Sequence, residues 1–272
     1  GTGNAFLGMG AGVLTTTGVA NTFVGGSHAS YVGASNTTGG QNTGIGADAL
    51  KSNTTASYNT AIGTKSLFSN TTASYNTAVG FKSLTTNTTG AVNTSVGAFT
   101  LQYNTTGTNN IAMGYAALAA NTTGANNSAV GFAALDANTT ASHGSAFGFS
   151  ALSAATTAQD NSAFGAYALQ SATTGASNTA VGAASLQLNT TGTLNTAVGK
   201  NASLANTTGS WNTAVGQGAM QANTTGAENA AFGYQALVQN TTGGNNTAIG
   251  RLALAKNTTA SLNTAVGIAA LQ

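Results

Sequence analysis

Residues 59–75 read NTAIGTKSLFSNTTASY, and residues 76–92 repeat them as NTAVGFKSLTTNTTGAV. The glycine that closes the first phrase recurs at Gly46, Gly63, Gly80, Gly97, Gly114, Gly131, Gly148, Gly165, Gly182, Gly199, Gly216, Gly233, Gly250 and Gly267, a constant step of 17 residues. Earlier copies end at Gly8 and Gly25, and the step from Gly25 to Gly46 is 21 residues, which predicts a four-residue insertion within 26–35. The chain therefore divides into irregular N-terminal coils (1–45) and one continuous domain of regular repeats (46–272). A period this strict predicts a solenoid, in which each repeat is one coil that buries itself only against its neighbours.

Within a coil, Asn59-Thr60-Ala61-Ile62-Gly63 is short, ends in a β-branched residue and is bounded by glycine, which predicts a strand. Alternation sends Thr60 and Ile62 to one face and Asn59, Ala61 and Gly63 to the other. Asn70-Thr71-Thr72-Ala73 carries turn chemistry. No 3.6-residue apolar stripe runs through the unit, so a helical coil is excluded. The expected architecture is an all-β parallel β-roll or β-solenoid of sixteen coils, a rod roughly 75–80 Å long at the usual strand spacing.

Two apolar columns are expected in the core. One holds Ile62, Val79, Val96, Met113, Val130, Phe147 and Phe164. The other runs from Leu50 through Leu67 and Leu84 to Leu271, with a lapse at Ser203, where Leu204 stands one place late. The residue two before the closing glycine is almost always alanine, Phe23, Gly44 and Ser95 being exceptions, so space there is tight. The closing glycine itself reads as a structural turn that needs positive φ or close backbone approach. Because the strand carries small or apolar groups on both faces, one face is expected to fill the roll and the other to pack on sister chains.

Composition narrows the class. With no proline, no cysteine and 4 % charged residues, and with 41 % hydrophobic residues, the chain is unlike a disordered one. Glycine makes up 37 residues without a Gly-X-Y period, which excludes collagen. A net charge of +2 from six basic and four acidic groups is too sparse for a nucleic-acid partner. The longest apolar stretch is about half of what a spanning helix needs, so no membrane insertion is expected. No signal-peptide or lipidation pattern is legible, and the residues start and stop inside the repeat, as in a mature product or an excerpt of a longer chain.

The phrase Asn-Thr-Ala-Val-Gly-x-x-Ala-Leu resembles the head repeats of YadA-like trimeric autotransporter adhesins. It is also similar to the arrays of phage and bacterial tail-fibre proteins, with Gly233-Tyr234-Gln235-Ala236-Leu237 a close match. The resemblance covers essentially the whole chain. It implies a left-handed parallel β-roll, a homotrimer, and an extracellular place on a cell or virion surface. The adhesin heads run mostly on a shorter period, and the Asn-Thr-Thr-Gly segment lengthens the coil here. No neck, coiled-coil stalk or membrane anchor is recognisable.

Four features are candidate sites. An N-x-[ST] sequon recurs at Asn36, Asn53, Asn70, Asn87, Asn104, Asn121, Asn138, Asn189, Asn206, Asn223, Asn240 and Asn257, with further copies at Asn93, Asn126, Asn201 and Asn245. The column reads either as a glycan-bearing ridge or as a structural one, a turn residue tolerant of left-handed φ or a hydrogen-bonded asparagine ladder. Ala155 and Ala172 replace it in two coils. The Thr pair from Thr37-Thr38 to Thr258-Thr259 is a candidate ice-binding rank, although neighbouring threonines in an extended segment face opposite ways. Phe81, Tyr115, Phe132, Phe149 and Tyr234 follow the closing glycine and are candidates for stacking on sugars or for packing between chains.

The last feature is the set of titratable groups. His28, His143, Asp48, Asp136, Asp160 and Glu228 are scattered singly, which predicts neither an enzyme nor a metal or cofactor site. Lys65 and Lys82 are stacked neighbours expected to repel mildly. The resulting expectation is an extracellular structural rod, the shaft or head of a fibre or adhesin. Its partners would be copies of itself and a cell-surface glycan or matrix. A self-polymerising, N-glycosylated filament and an ice-binding solenoid are the alternatives.

Overall fold

The computed structural model describes residues 3–26 and 29–272. Sixteen strands of three residues, one per repeat, form all of its regular structure. Among the described residues there is no helix, hence none long and apolar enough to cross a membrane. Two compact units divide the chain, Gly1–Thr140 and Ala141–Gln272.

In the first unit, β1 (Ala5–Leu7), β2 (Thr22–Val24), β3 (Thr43–Ile45), β4 (Thr60–Ile62), β5 (Thr77–Val79), β6 (Thr94–Val96), β7 (Ile111–Met113) and β8 (Ser128–Val130) pair in sequence order, all parallel. The second unit repeats the plan with β9 (Ser145–Phe147), β10 (Ser162–Phe164), β11 (Thr179–Val181), β12 (Thr196–Val198), β13 (Thr213–Val215), β14 (Ala230–Phe232), β15 (Thr247–Ile249) and β16 (Thr264–Val266). Each unit is thus a parallel β-solenoid. Partners are 17 residues apart, as Thr60 and Thr77 are, except that Thr22 faces Thr43 across the longer step. Ser27 and His28, inside the expected insertion, lie outside the described residues.

The turns show how so short a strand becomes a closed coil. Gly63 has φ 129°, and a Cβ there would lie 2.5 Å from the Gly80 carbonyl oxygen, so only glycine fits. Three other residues of the coil are left-handed without being glycine: Lys65 (φ 59°), Leu67 (φ 47°) and Tyr75 (φ 64°). Each such residue costs about 1 kcal/mol or more. Hydrogen bonds to both neighbouring coils offset that strain. Leu67 and Ser69 donate forward to the carbonyls of Ser83 (3.0 Å) and Thr85 (3.0 Å). Gly63 and Lys65 donate backward to Ile45 (2.8 Å) and Ala47 (2.9 Å). A single coil could not hold this conformation alone.

The core is narrower than the sequence suggests. Leu50, Leu67, Leu84, Leu101, Leu118, Leu135, Leu152, Leu169 and Leu186 are fully buried, with Ala61, Ala78 and their column mates. The second expected core column is not inside. Ile62 is 37 % exposed, Phe164 40 % and Met113 43 %, while Val79, Val96 and Val130 are half-buried. The strand does alternate, but the alanine face is the one that turns inward, because its small side chains leave room for the leucine from across the coil.

Two lapses in the columns have local explanations. Ser95 stands in an alanine position with its hydroxyl 2.7 Å from Ser83 Oγ and 2.6 Å from Thr100 Oγ1, a buried hydroxyl cluster. Ser203 occupies a leucine position at φ 48° and is buried, and Leu204 is only half-buried beside it.

Candidate functional site

The asparagine columns settle into the interior. Asn36, Asn53, Asn70, Asn87, Asn104, Asn121, Asn138, Asn189, Asn206, Asn223 and Asn240 are fully buried, and Asn257 is half-buried in the last coil. Asn70 Nδ2 donates to Asn53 Oδ1 (3.0 Å) and to the Ala73 carbonyl (2.9 Å), and Asn87 repeats both bonds one coil later. A glycan on such a nitrogen would displace a hydrogen bond and have no path to solvent. The expected glycan ridge is therefore corrected to an internal ladder, and these asparagines are not left-handed turn residues either. Of the remaining sequons, Asn93 is buried, Asn201 half-buried, and Asn126 and Asn245 exposed.

A second asparagine column, missed as a ladder because it reads as the first letter of the strand, runs beside the first. Asn59 Nδ2 donates to the Ala73 carbonyl (3.0 Å), and Asn59 Oδ1 accepts the Asn76 backbone N–H (2.9 Å). Each carboxamide thus bridges a carbonyl 14 residues on and an N–H 17 residues on. Buried amides satisfied on both sides rigidify a core that is short of apolar area.

Three exposed columns remain for contact with the outside. The threonine pair lies in a bend rather than an extended segment, and its two side chains still part. Thr54 Oγ1 donates to the Thr71 carbonyl of the next coil (3.0 Å), while Thr55, Thr72 and every later second threonine are exposed.

The outward strand face carries Thr60 and Ile62 and their column mates, with the residue after the closing glycine beside them. Phe81, Tyr115, Phe132, Phe149 and Tyr234 all stand exposed there. Four of them, all but Tyr234, meet a neighbouring ring. Phe81 meets Phe99 edge-on (5.3 Å), Phe99 meets Tyr115 (5.6 Å), and Tyr115 stacks on Phe132 (5.3 Å). In the second unit, Phe149 meets Tyr167 (5.3 Å) and Phe147 stacks on Phe164 (5.0 Å). A ring stacked on its neighbour, as Tyr115 is on Phe132, has one face covered, so at that pair the geometry favours packing. Phe99 and Tyr167 were missed because they stand one place beyond the column. The Phe147–Phe164 pair was legible as identical residues one period apart.

The third column is the left-handed one that closes each coil. Tyr58, Tyr75, Val92, Asn109 and Asn126 occupy it in the first unit, and His143, Asp160, Ser177, Leu194, Trp211, Glu228, Asn245 and Leu262 in the second, all exposed. Tyr58 and Tyr75 stack at 4.9 Å. It is the most varied column of the coil.

Charged groups are few, and some of them are locally paired. Lys51 Nζ lies 3.0 Å from Asp48 Oδ1. Lys65 sits over the Phe68 ring and Lys82 over Phe81 and Phe99, so each of the two stacked lysines has an aromatic neighbour rather than only its like-charged one. His143 Nδ1 and Asp160 Oδ1 are 3.4 Å apart and well exposed. Asp136 has one carboxylate oxygen buried without a partner, and burial pushes its carboxyl above the usual range. Among the described residues no three His, Cys, Asp or Glu side chains gather as metal ligands. No known protein family, characterised protein or solved structure matches the chain.

Proposed function

We propose that this chain is the shaft or head of an extracellular fibre or adhesin, in which copies pack side by side through the outward strand face. One observation carries the reading: the residue before the closing glycine is Val, Ile, Leu, Phe or Met in every coil, yet it stands at the surface of the single chain. An apolar column repeated without exception is the mark of a covered face. A partner that covers it coil after coil must share its rise, and another copy of the same solenoid does so by construction. Three copies in parallel, and a place outside the cell, follow from the resemblance to YadA-like heads. The varied left-handed column then faces outward and presents side chains for attachment, each weak contact multiplied along the array.

Native mass spectrometry tests this directly. Three times the 26.3 kDa chain mass is expected, and 26.3 kDa after Ile62→Lys with Val79→Lys, with the circular dichroism unchanged. A wild-type monomer would remove the trimer, and an open-ended series of masses would favour a self-polymerising filament.

A second reading rests on the exposed second threonine, present in every regular coil from Thr38 to Thr259. Such a rank at strand spacing suits ordered water at an ice plane. Thermal hysteresis that disappears on replacing Thr72, Thr89 and Thr106 with Tyr would establish it, and the absence of hysteresis in the wild type would end it.

A further inference from the structure

Both asparagine ladders lapse together in one coil of the second unit, and the lapse leaves a matched pair of buried polar groups. In a regular coil, the Ala73 carbonyl accepts from Asn59 Nδ2 (3.0 Å) and Asn70 Nδ2 (2.9 Å), and the Asn76 N–H donates to Asn59 Oδ1 (2.9 Å). The corresponding residues five repeats on are Gly144 for Asn59, Ala155 for Asn70, Ala158 for Ala73 and Asn161 for Asn76. Neither side chain that would donate to the Ala158 carbonyl exists, and the carboxamide that would accept from the Asn161 N–H is missing with them. Ala158 is 2 % exposed and Asn161 fully buried, so bulk solvent does not reach either group.

The next coil marks where the pattern resumes. Ala172 again lacks the first-ladder amide, but Asn161 Nδ2 donates to the Gly175 carbonyl (2.8 Å) and Asn161 Oδ1 accepts the Asn178 N–H (2.8 Å). The second ladder is whole again from Asn161 onward, so the defect is confined to one coil.

We infer that the coil at Gly144, Ala155, Ala158 and Asn161 is an internal water-binding site, in which water replaces the missing carboxamides. A water donating to the Ala158 carbonyl and accepting from the Asn161 N–H reproduces the bridge that Asn59 makes elsewhere. With no CH2–CONH2 group at Gly144 and no carboxamide at Ala155, a water there would have the Ala158 carbonyl and the Asn161 N–H as polar partners, which is the setting in which proteins hold buried water. Leaving both backbone groups unpaired is the arrangement that native interiors avoid. Gly144 has no left-handed φ, so glycine is not demanded by the backbone there.

Water–amide cross-relaxation in the 15N-labelled full chain tests the inference. The Asn161 N–H is expected to show a cross-peak with a long-lived water, and the Asn178 N–H, whose acceptor is Asn161 Oδ1, is not. Gly144→Asn restores the bridge and is expected to abolish the Asn161 cross-peak. No water cross-peak at Asn161 in the wild type overturns the site, as does one that persists unchanged in a folded Gly144→Asn variant. The wild-type spectrum decides the matter alone if the variant does not fold.

Discussion

Asparagine is the residue that does least of what its type suggests. In turns it tolerates left-handed φ, and in N-x-[ST] it invites a glycan, yet here its amide spans the interior between coils. Replacing Asn87 by Ala removes one donor from the Gly90 carbonyl and leaves Asn70 Oδ1 without its partner. A loss of about 1–3 kcal/mol is expected, read from the denaturant midpoint at unchanged slope. Asp136 makes the opposite case, a buried oxygen with nothing to meet it. Its folded carboxyl holds its proton more tightly than the unfolded one, so this group's contribution to stability falls as pH rises through the carboxylate range. Asp136→Asn should therefore stabilise the protein at pH 7, and the gain should fade as pH is lowered toward the ordinary value of 3.8. Paired melts of the two proteins across that range check the sign.

At the scale of the coil, the decisive elements are the turns rather than the three-residue strands. The period, the parallel strand and the inward leucine column were legible, because each depends on a residue type with one strong preference. The turns were not. Leucine, lysine and tyrosine are poor left-handed residues, and nothing local marks Leu67, Lys65 or Tyr75 as such. Only the ladders above and below hold them there. The outward place of Ile62 was equally hidden, since a strand apolar on both faces does not say which face meets the leucine. The exposed left-handed column offers a test of stored strain. Leu194→Asn, matching Asn109 and Asn126 in the same column, should raise stability by about 1 kcal/mol, seen as a higher denaturant midpoint. A varied set of side chains kept where asparagine would be more comfortable is the pattern expected of a surface selected for contact.

Among the described residues, most backbone and amide bonds join a residue to one 14 to 18 positions away, the rest being mainly turn bonds three residues apart, and few long-range partners lie outside the adjoining coils. Stability is then a sum of coil and neighbour terms. Deleting residues 76–92, one full repeat, should leave a folded protein whose circular dichroism per residue is unchanged. Deleting residues 76–91 leaves one 18-residue step at the seam while the coils downstream keep their own register, so a lower melting temperature is expected from that seam alone, the extra residue bulging as the longer step between Thr22 and Thr43 does. The two deletions, compared by melting curve, read the cost of one irregular coil against a regular seam. The same arithmetic reaches the gene. A segment of 17 codons can be duplicated or lost by unequal recombination, and the protein that results meets the same partners at every seam. Length is thus a trait that heredity can adjust in steps without inventing any new contact.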